Sequence, residues 1–213
     1  METPEPAGLR QAYSDAALNE ADVAADPFAQ FGTWFADMIA GGLPEPNAMI
    51  LATASAAAEP SARTVLLKGY GQDGFRFFTN HTSHKGRDLR DNPRACLVFP
   101  WHALHRQVVV TGGVSRLPEA ETASYFHSRP HGSQLGAWAS HQSSVIGSRA
   151  ALEARYAELA DRWPEEVPVP DFWGGYLLTP DTVEFWQGRA DRLHDRLRFT
   201  RSESGWAVER LSP

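Results

Sequence analysis

Apolar residues first recur at helical spacing between Phe28 and Ile39, where Phe28, Phe31, Trp34, Phe35, Met38 and Ile39 share one face of a 3.6-residue period. Asp26-Pro27 precedes the run as N-cap and first helical residue, and Gly41-Gly42 end it. This face is expected in the core. From Ala48 the pattern changes to short apolar runs. Residues 48–54 and 62–67 read as strands joined by a turn around Glu59-Pro60, and Gly71-Gln72-Asp73-Gly74 turns the chain into a third at 75–79. Ser83 caps a short helix through Arg90, closed by Asp91-Asn92-Pro93, and strands follow at 95–99 and 107–114. Pro118 opens a helix carrying Ala120, Ala123, Tyr125 and Phe126, a second covers 133–140, and Ser148 caps a charged third to about Trp163. After a Pro-rich loop, alternation returns at 173–178, 183–186, 193–199 and 206–211.

Helices thus interrupt a β series rather than alternating with every strand. The expected class is mainly β with appended helices (α+β), an antiparallel barrel rather than a doubly wound sheet. No internal repeat and no second composition regime appears. One domain over 21–213 is expected, preceded by an arm at 1–20 whose first residues are acidic and Pro-rich.

Composition narrows the function. With 213 residues, 42% of them hydrophobic, the chain can bury a full core, and seven Trp and eleven Phe argue against disorder. Twenty Lys and Arg against 26 Asp and Glu leave a net charge of −6. That balance excludes a global footprint for nucleic acid or an anionic membrane, so any phosphate must be held by a local cluster. The lone Cys96 makes neither an intrachain disulfide nor a zinc site. The start, Met1-Glu2-Thr3-Pro4, lacks a signal peptide's basic and apolar regions, no apolar run is long enough to span a membrane, and the expected location is cytoplasmic.

Four segments carry candidate chemistry. In Arg192-Leu193-His194-Asp195-Arg196-Leu197-Arg198, a regular strand would put Arg192, His194, Arg196 and Arg198 on one face. Such a face needs an anion or acidic partner, or else is a solvated face over a leucine core. The aromatic pair in Glu184-Phe185-Trp186-Gln187-Gly188 suggests that something planar or apolar covers it. In 63–68, Arg63 and Lys68 are an odd number of residues apart and would face opposite sides of a strand; otherwise they are strand-end charges reaching water. In 79–87, a strand end, a capped helix start, Lys85 and Arg87 form a plausible phosphate seat. In 125–134, Tyr125, Arg129 and Ser133 surround a helix break and supply donors suited to a phosphate monoester, unless this is ordinary loop polarity. No Walker, G-x-G-x-x-G or G-x-S-x-G motif is present, and Pro130 breaks the spacing of His127 and His131, so no metal site is expected.

Together these segments resemble the pyridoxine/pyridoxamine 5′-phosphate oxidase family. The motifs appear in family order over about 9–213: Arg-Thr-Val-Leu-Leu-Lys (63–68), Phe-Thr-Asn (78–80), Asn-Pro-Arg (92–94), Phe-Pro-Trp (99–101), Arg-Gln-Val (106–108), Tyr-Phe-His-Ser-Arg-Pro (125–130), His-Gln-Ser-Ser (141–144), Phe-Trp-Gly-Gly (172–175), Glu-Phe-Trp-Gln-Gly (184–188) and Arg-Leu-His-Asp-Arg (192–196). The resemblance implies an FMN-binding split-barrel homodimer with the flavin at the subunit interface. It implies oxidation of pyridoxamine 5′-phosphate and pyridoxine 5′-phosphate to pyridoxal 5′-phosphate, with O2 as acceptor and hydrogen peroxide released. By position Arg63, Thr64, Val65, Leu66, Leu67, Lys68, Phe78, Thr79, His84, Lys85, Gln107, Gln142, Ser143, Trp186 and Arg196 would bind FMN. Lys68, Tyr125, Arg129 and Ser133 would take the substrate phosphate, while Arg192, Leu193 and His194 would frame its ring, with Arg192 and His194 as the catalytic pair. Arg10 and Tyr13 match a segment that closes over the site in the family. The family usually has Arg-Lys where this chain has His84-Lys85. Either His84 substitutes when protonated, with FMN affinity weakening as it deprotonates, or Arg87 one turn away compensates. The rival readings are a paralogue oxidising another ring of phenazine type, a non-catalytic flavin or pyridoxal phosphate carrier, and a plain interaction domain.

Overall fold

Asp26 opens the first helix, α1 (Pro27–Ala40), by accepting from the N–H groups of Phe28 and Ala29 at 2.9 and 3.0 Å. A computed structural model describes residue 13 and residues 16–213. Nine strands form one sheet in the order β2-β1-β5-β6-β7-β4-β3, with β8 and β9 continuing from β7. They are β1 (Ala48–Ala54), β2 (Pro60–Leu66), β3 (Gly69–Gly71), β4 (Gly74–Asn80), β5 (Arg94–Trp101), β6 (Arg106–Arg116), β7 (Trp173–Gln187), β8 (Asp195–Ser202) and β9 (Gly205–Arg210). The remaining helices are α2 (His84–Asp91), α3 (Glu119–Ser128), α4 (His131–Ala139) and α5 (Arg149–Arg162). The class is mainly β with appended helices.

The chain divides into two compact units. One holds the described residues through Pro46 with Val98–Val110 and Thr182–Pro213; the other holds Asn47–Leu97 and Thr111–Asp181. In the first, α1 turns Phe28, Phe31, Trp34 and Met38 into the core, where Phe31 meets Phe99 at 4.9 Å and Trp34 meets Phe185 at 5.2 Å. Ile39, expected on that face, is 57% exposed. The apolar stripe is therefore narrower than the spacing implied. In the second unit β1 and β2 form an antiparallel hairpin that sets Thr53 opposite Ser61 and Leu51 opposite Arg63. β4 pairs with the first half of β7, and Phe126, Leu135, Val167 and Trp173 form a core beneath α3 and α4.

Two strand expectations change. Residues 173–187 form one 15-residue strand, not two, because Thr179-Pro180-Asp181 stays extended within it. β8 begins only at Asp195. Asp191 and Arg192 adopt positive φ (54° and 62°) in a 3-10 turn, and the amide of Arg189 donates to Nδ1 of His194 at 3.1 Å. Arg192 and His194 are thus off the strand, Leu193 is 68% exposed, and the four-cation strand face reduces to Arg196 and Arg198.

Candidate active site

The turn from β4 into α2 is built by short polar side chains. Asn80 Oδ1 accepts from both the amide and the hydroxyl of Thr82 at 2.7 Å, and Ser83 Oγ accepts from the Gly86 amide at 3.3 Å as the helix cap. A side chain at position 86 would lie 2.2 Å from the His81 carbonyl oxygen, so only glycine lets the helix start approach the turn so closely. This fixes Lys85 in the first turn of α2, where it is 7% exposed. Its ammonium donates to Gln142 Oε1 at 2.9 Å and to Ser83 Oγ at 3.4 Å; Thr79 donates to the same amide oxygen at 3.2 Å. All these acceptors are neutral. Burial and then the charge of Arg63 hold the Lys85 ammonium down to about 8.

A second cationic group gathers around α3 and the start of α4. The Tyr125 ring stacks on Phe78 at 4.0 Å, and Lys68 Nζ lies 5.9 Å from its centroid. Arg129 ends α3 in extended backbone before Pro130, which carries its guanidinium over Trp173 at 4.8 Å. Burial pulls the Arg129 guanidinium down, and its Nη1 is buried without a hydrogen-bond partner among the described residues. Ser133, Gly136 and Ala137 on α4 and Ser140 at its C-cap recur at helical spacing and face the same space.

These features line one cavity of about 640 Å³ within the second unit. Its walls bring together the expected Thr64, Val65, Leu66, Lys68, Phe78, Thr79, Lys85, Tyr125, Arg129, Ser133 and Gln142, and no Asp or Glu among the described residues lines it. Asn80, Gly136, Ser140 and Trp173 also line it, beyond the residues expected to hold cofactor or substrate. The small residues of α4 carried a readable i, i+3, i+4, i+7 signal; the Trp173 wall did not, because it depends on the pairing of β4 with β7.

Arg63, Leu67, His84 and Ser143 of the same unit do not line the cavity. Arg63 donates to Thr53 Oγ1, Ser61 Oγ and the Leu51 carbonyl. Leu67 is buried, and Ser143 stands at positive φ (71°) on an exposed turn. His84 is exposed, with Nε2 3.6 Å from Asp88 Oδ1, while Arg87 donates to the Thr82 carbonyl at 2.6 Å.

The other unit carries the rest of the expected set. Gln107 lies on β6. Trp186 lies on β7, with the His194 ring 4.7 Å from its own, and Tyr13 packs 5.6 Å from His194 and 4.5 Å from His105. Arg196 donates to both carboxylate oxygens of Glu184 at 2.8 and 3.1 Å, which raises it. Arg192 and Leu193 occupy the exposed turn before β8. Arg10 lies outside the described residues.

The chain is similar along nearly its whole length to known proteins. Residues 35–162 match the family described as pyridoxamine 5′-phosphate oxidase, and residues 173–213 match the pyridoxine 5′-phosphate oxidase C-terminal dimerisation region. A pyridoxine/pyridoxamine 5′-phosphate oxidase of Salinispora arenicola is 58% identical over all of this chain and 98% of its own. The Thermobifida fusca protein of the same name is 52% identical over the full length of both. Among solved structures, PhzG from Burkholderia lata, in complex with tetrahydrophenazine-1-carboxylic acid, superposes with a TM-score of 0.88 at 32% identity, covering 93% of this chain and 98% of that one. A pyridoxamine 5′-phosphate oxidase-related, FMN binding protein from Nostoc punctiforme gives 0.71 at 17% identity over 90% of this chain and 100% of that one, a likeness of fold alone. The fold is the antiparallel split β-barrel, and the chain belongs to the pyridoxine/pyridoxamine 5′-phosphate oxidase family.

Proposed function

We propose that this chain oxidises pyridoxamine 5′-phosphate and pyridoxine 5′-phosphate to pyridoxal 5′-phosphate, with FMN as its resident flavin and O2 as electron acceptor. The observation that carries the reading is a cavity lined by Lys85, Lys68 and Arg129 and by no carboxylate among the described residues. A buried ammonium with only neutral acceptors and a buried guanidinium nitrogen with none are costly unless anions complete them. Two phosphates, one of the flavin and one of the substrate, meet that requirement.

In this reading Lys85, with Thr79 and Gln142 beside it and Arg63 behind, holds the FMN phosphate. Lys68, Tyr125, Arg129 and Ser133 hold the substrate phosphate. FMN held there would supply a two-electron acceptor for a hydride from C4′, with O2 as the final acceptor and hydrogen peroxide as the product. The alcohol substrate loses two electrons and two protons in total; the amine also consumes one water and releases ammonia. Anchoring the substrate by its phosphate converts a loose encounter into a fixed geometry, which lowers the barrier by ~7 kcal/mol at best. Arg192 orients the pyridine ring and stabilises charge near the reacting carbon, and His194 is a hydrogen-bond partner there, donating from Nε2 because its Nδ1 accepts from the Arg189 amide. The match of 173–213 to a dimerisation region supports a homodimer. Within it we place FMN at the subunit interface, completed by Gln107, Trp186 and Arg196.

Oxygen-electrode assays with pyridoxine 5′-phosphate, with and without added FMN, test this. FMN-dependent oxygen uptake with matching peroxide is expected. FMN binding without oxygen uptake would make the chain a carrier. Uptake with a reduced phenazine ring alone would make it the paralogue, a reading that identities of 52–59% to the named oxidases, against 32% to PhzG, disfavour.

A further inference from the structure

Asp88 lies one turn into α2, outside the cavity, 4% exposed. One of its oxygens accepts from two hydroxyls at once, Thr53 Oγ1 at 2.6 Å and Ser61 Oγ at 3.0 Å. These hydroxyls stand directly opposite each other on β1 and β2, and both accept from Arg63, Nη1 to Thr53 at 2.7 Å and Nη2 to Ser61 at 2.5 Å. The pattern is directional. A hydroxyl has a single proton, and an ionised carboxylate can only accept, so both protons point at Asp88 and both hydroxyls turn lone pairs toward the guanidinium. Asp88 and Arg63 are therefore coupled through a pair of oriented hydroxyls rather than by contact. His84 faces the second oxygen of Asp88 at 3.6 Å. Burial alone would raise the Asp88 carboxyl; the two hydroxyls, then His84 and Arg63, outweigh it and keep it below the ordinary carboxylate range.

We propose that Asp88 is a positioning residue for the flavin phosphate seat: through Thr53 and Ser61 it holds Arg63 in one orientation beside Lys85. The proposal rests on the assignment of Lys85 and Arg63 to the FMN phosphate. An asparagine keeps the size of the side chain but removes its charge and brings a donor NH2. Either hydroxyl can then reverse and point its proton at Arg63, which frees the guanidinium.

The test is titration of flavin-free protein with FMN, read by quenching of flavin fluorescence, for wild type, Asp88→Asn, Arg63→Lys and the double variant, with melting temperatures alongside. Asp88→Asn is expected to weaken FMN binding about tenfold, the range of a lost charged hydrogen-bond pair. In the Arg63→Lys background it should cost almost nothing more, because Arg63 is the group it acts through. A role confined to fastening α2 would lower the melting temperature and leave the two losses multiplicative. Ser61→Ala carries the same test if Asp88→Asn fails to fold: about threefold weaker binding is expected for one neutral hydroxyl link, again absent in the Arg63→Lys background. Unchanged or tighter FMN binding in Asp88→Asn, or multiplicative losses, would overturn the proposal. A wild type that does not bind FMN overturns the assigned function and this inference with it.

Discussion

The ammonium of Lys85 rests 2.9 Å from the amide oxygen of Gln142, 57 residues further along the chain, in a pocket wall that offers it no carboxylate among the described residues. This pairing ties the start of α2 to the turn after α4. It also leaves a positive charge whose natural partner is an anion from outside the protein.

That charge has a pH signature. The folded chain holds Lys85 at about 8 against an ordinary value of 10.5, so between these values the unfolded chain binds more protons than the folded one. Stability of the flavin-free protein therefore rises as pH increases through this window, and the full burial penalty is felt below it. Lys85→Met should flatten the rise. An anion that needs the protonated ammonium must bind with proton uptake above about pH 8. Calorimetric titration with FMN at pH 8.5 in two buffers of different ionisation enthalpy should show that uptake in wild type and lose it in Lys85→Met; equal apparent enthalpies in wild type would refute it.

Arg129 predicts a trade of stability against binding. Its Nη1, buried without a partner among the described residues, costs the free protein about 1–3 kcal/mol, while its side chain lies over the rings of Trp173 and Phe126. Arg129→Met keeps the packing and removes the orphaned donor. Its melting temperature should equal or exceed that of wild type, while KM for pyridoxine 5′-phosphate rises by about tenfold to a hundredfold, the loss of a charged phosphate contact. A variant that melts lower, with KM unchanged, would return Arg129 to a purely structural role.

Much of this arrangement was legible before the fold was known, where local chemistry decided the outcome. Asp26-Pro27 and Ser83 cap helices as their side chains require, and Arg129-Pro130 ends α3 because the residue before proline avoids helical backbone. The turn at 190–192 was hidden, since neither Asp191 nor Arg192 signals positive φ as a glycine would. Continuity of β7 through Pro180 was hidden too, because the alternation lapses at 179–182 although the backbone stays extended between the segment paired with β4 and the segment paired with β8. The Lys85 ammonium meets Gln142 57 positions away, and the link from Asp88 to Arg63 needs hydroxyls 27 and 35 positions from Asp88, separations that spacing cannot reveal.

Gly86 should be intolerant of the smallest substitution. Alanine is the better helix former by about 1 kcal/mol, which alone would stabilise α2. Its Cβ, however, would meet backbone atoms only, the His81 oxygen at 2.2 Å, its carbon at 2.5 Å and the Asn80 oxygen at 2.8 Å. The turn that caps α2 would have to move. Gly86→Ala is expected to lose about 1–3 kcal/mol net in denaturant unfolding and to weaken FMN binding together with it. A stabilised Gly86→Ala would show that the turn yields freely.

Asp195 makes the complementary prediction in the other unit. It is 8% exposed at the start of β8 and accepts from the Leu18 amide at 3.1 Å, from Arg189 at 3.2 Å and from Arg210 at 2.7 Å. Burial would raise its carboxyl, but the Leu18 amide and the two guanidinium groups outweigh that and hold it below the ordinary 3.8. The stabilisation is therefore present above pH 3.8 and is lost as pH falls through the folded value. Asp195→Asn keeps the size of the side chain but removes the charge that holds both arginines and fastens Leu18. Because those arginines are partly solvated, a loss of about 2–3 kcal/mol at neutral pH is expected rather than the full cost of a buried ion pair. The difference from wild type should shrink toward zero as the pH is lowered below the folded Asp195 value in urea unfolding. A gap between the two proteins that stays constant across that range would assign the effect to packing, not to the charge.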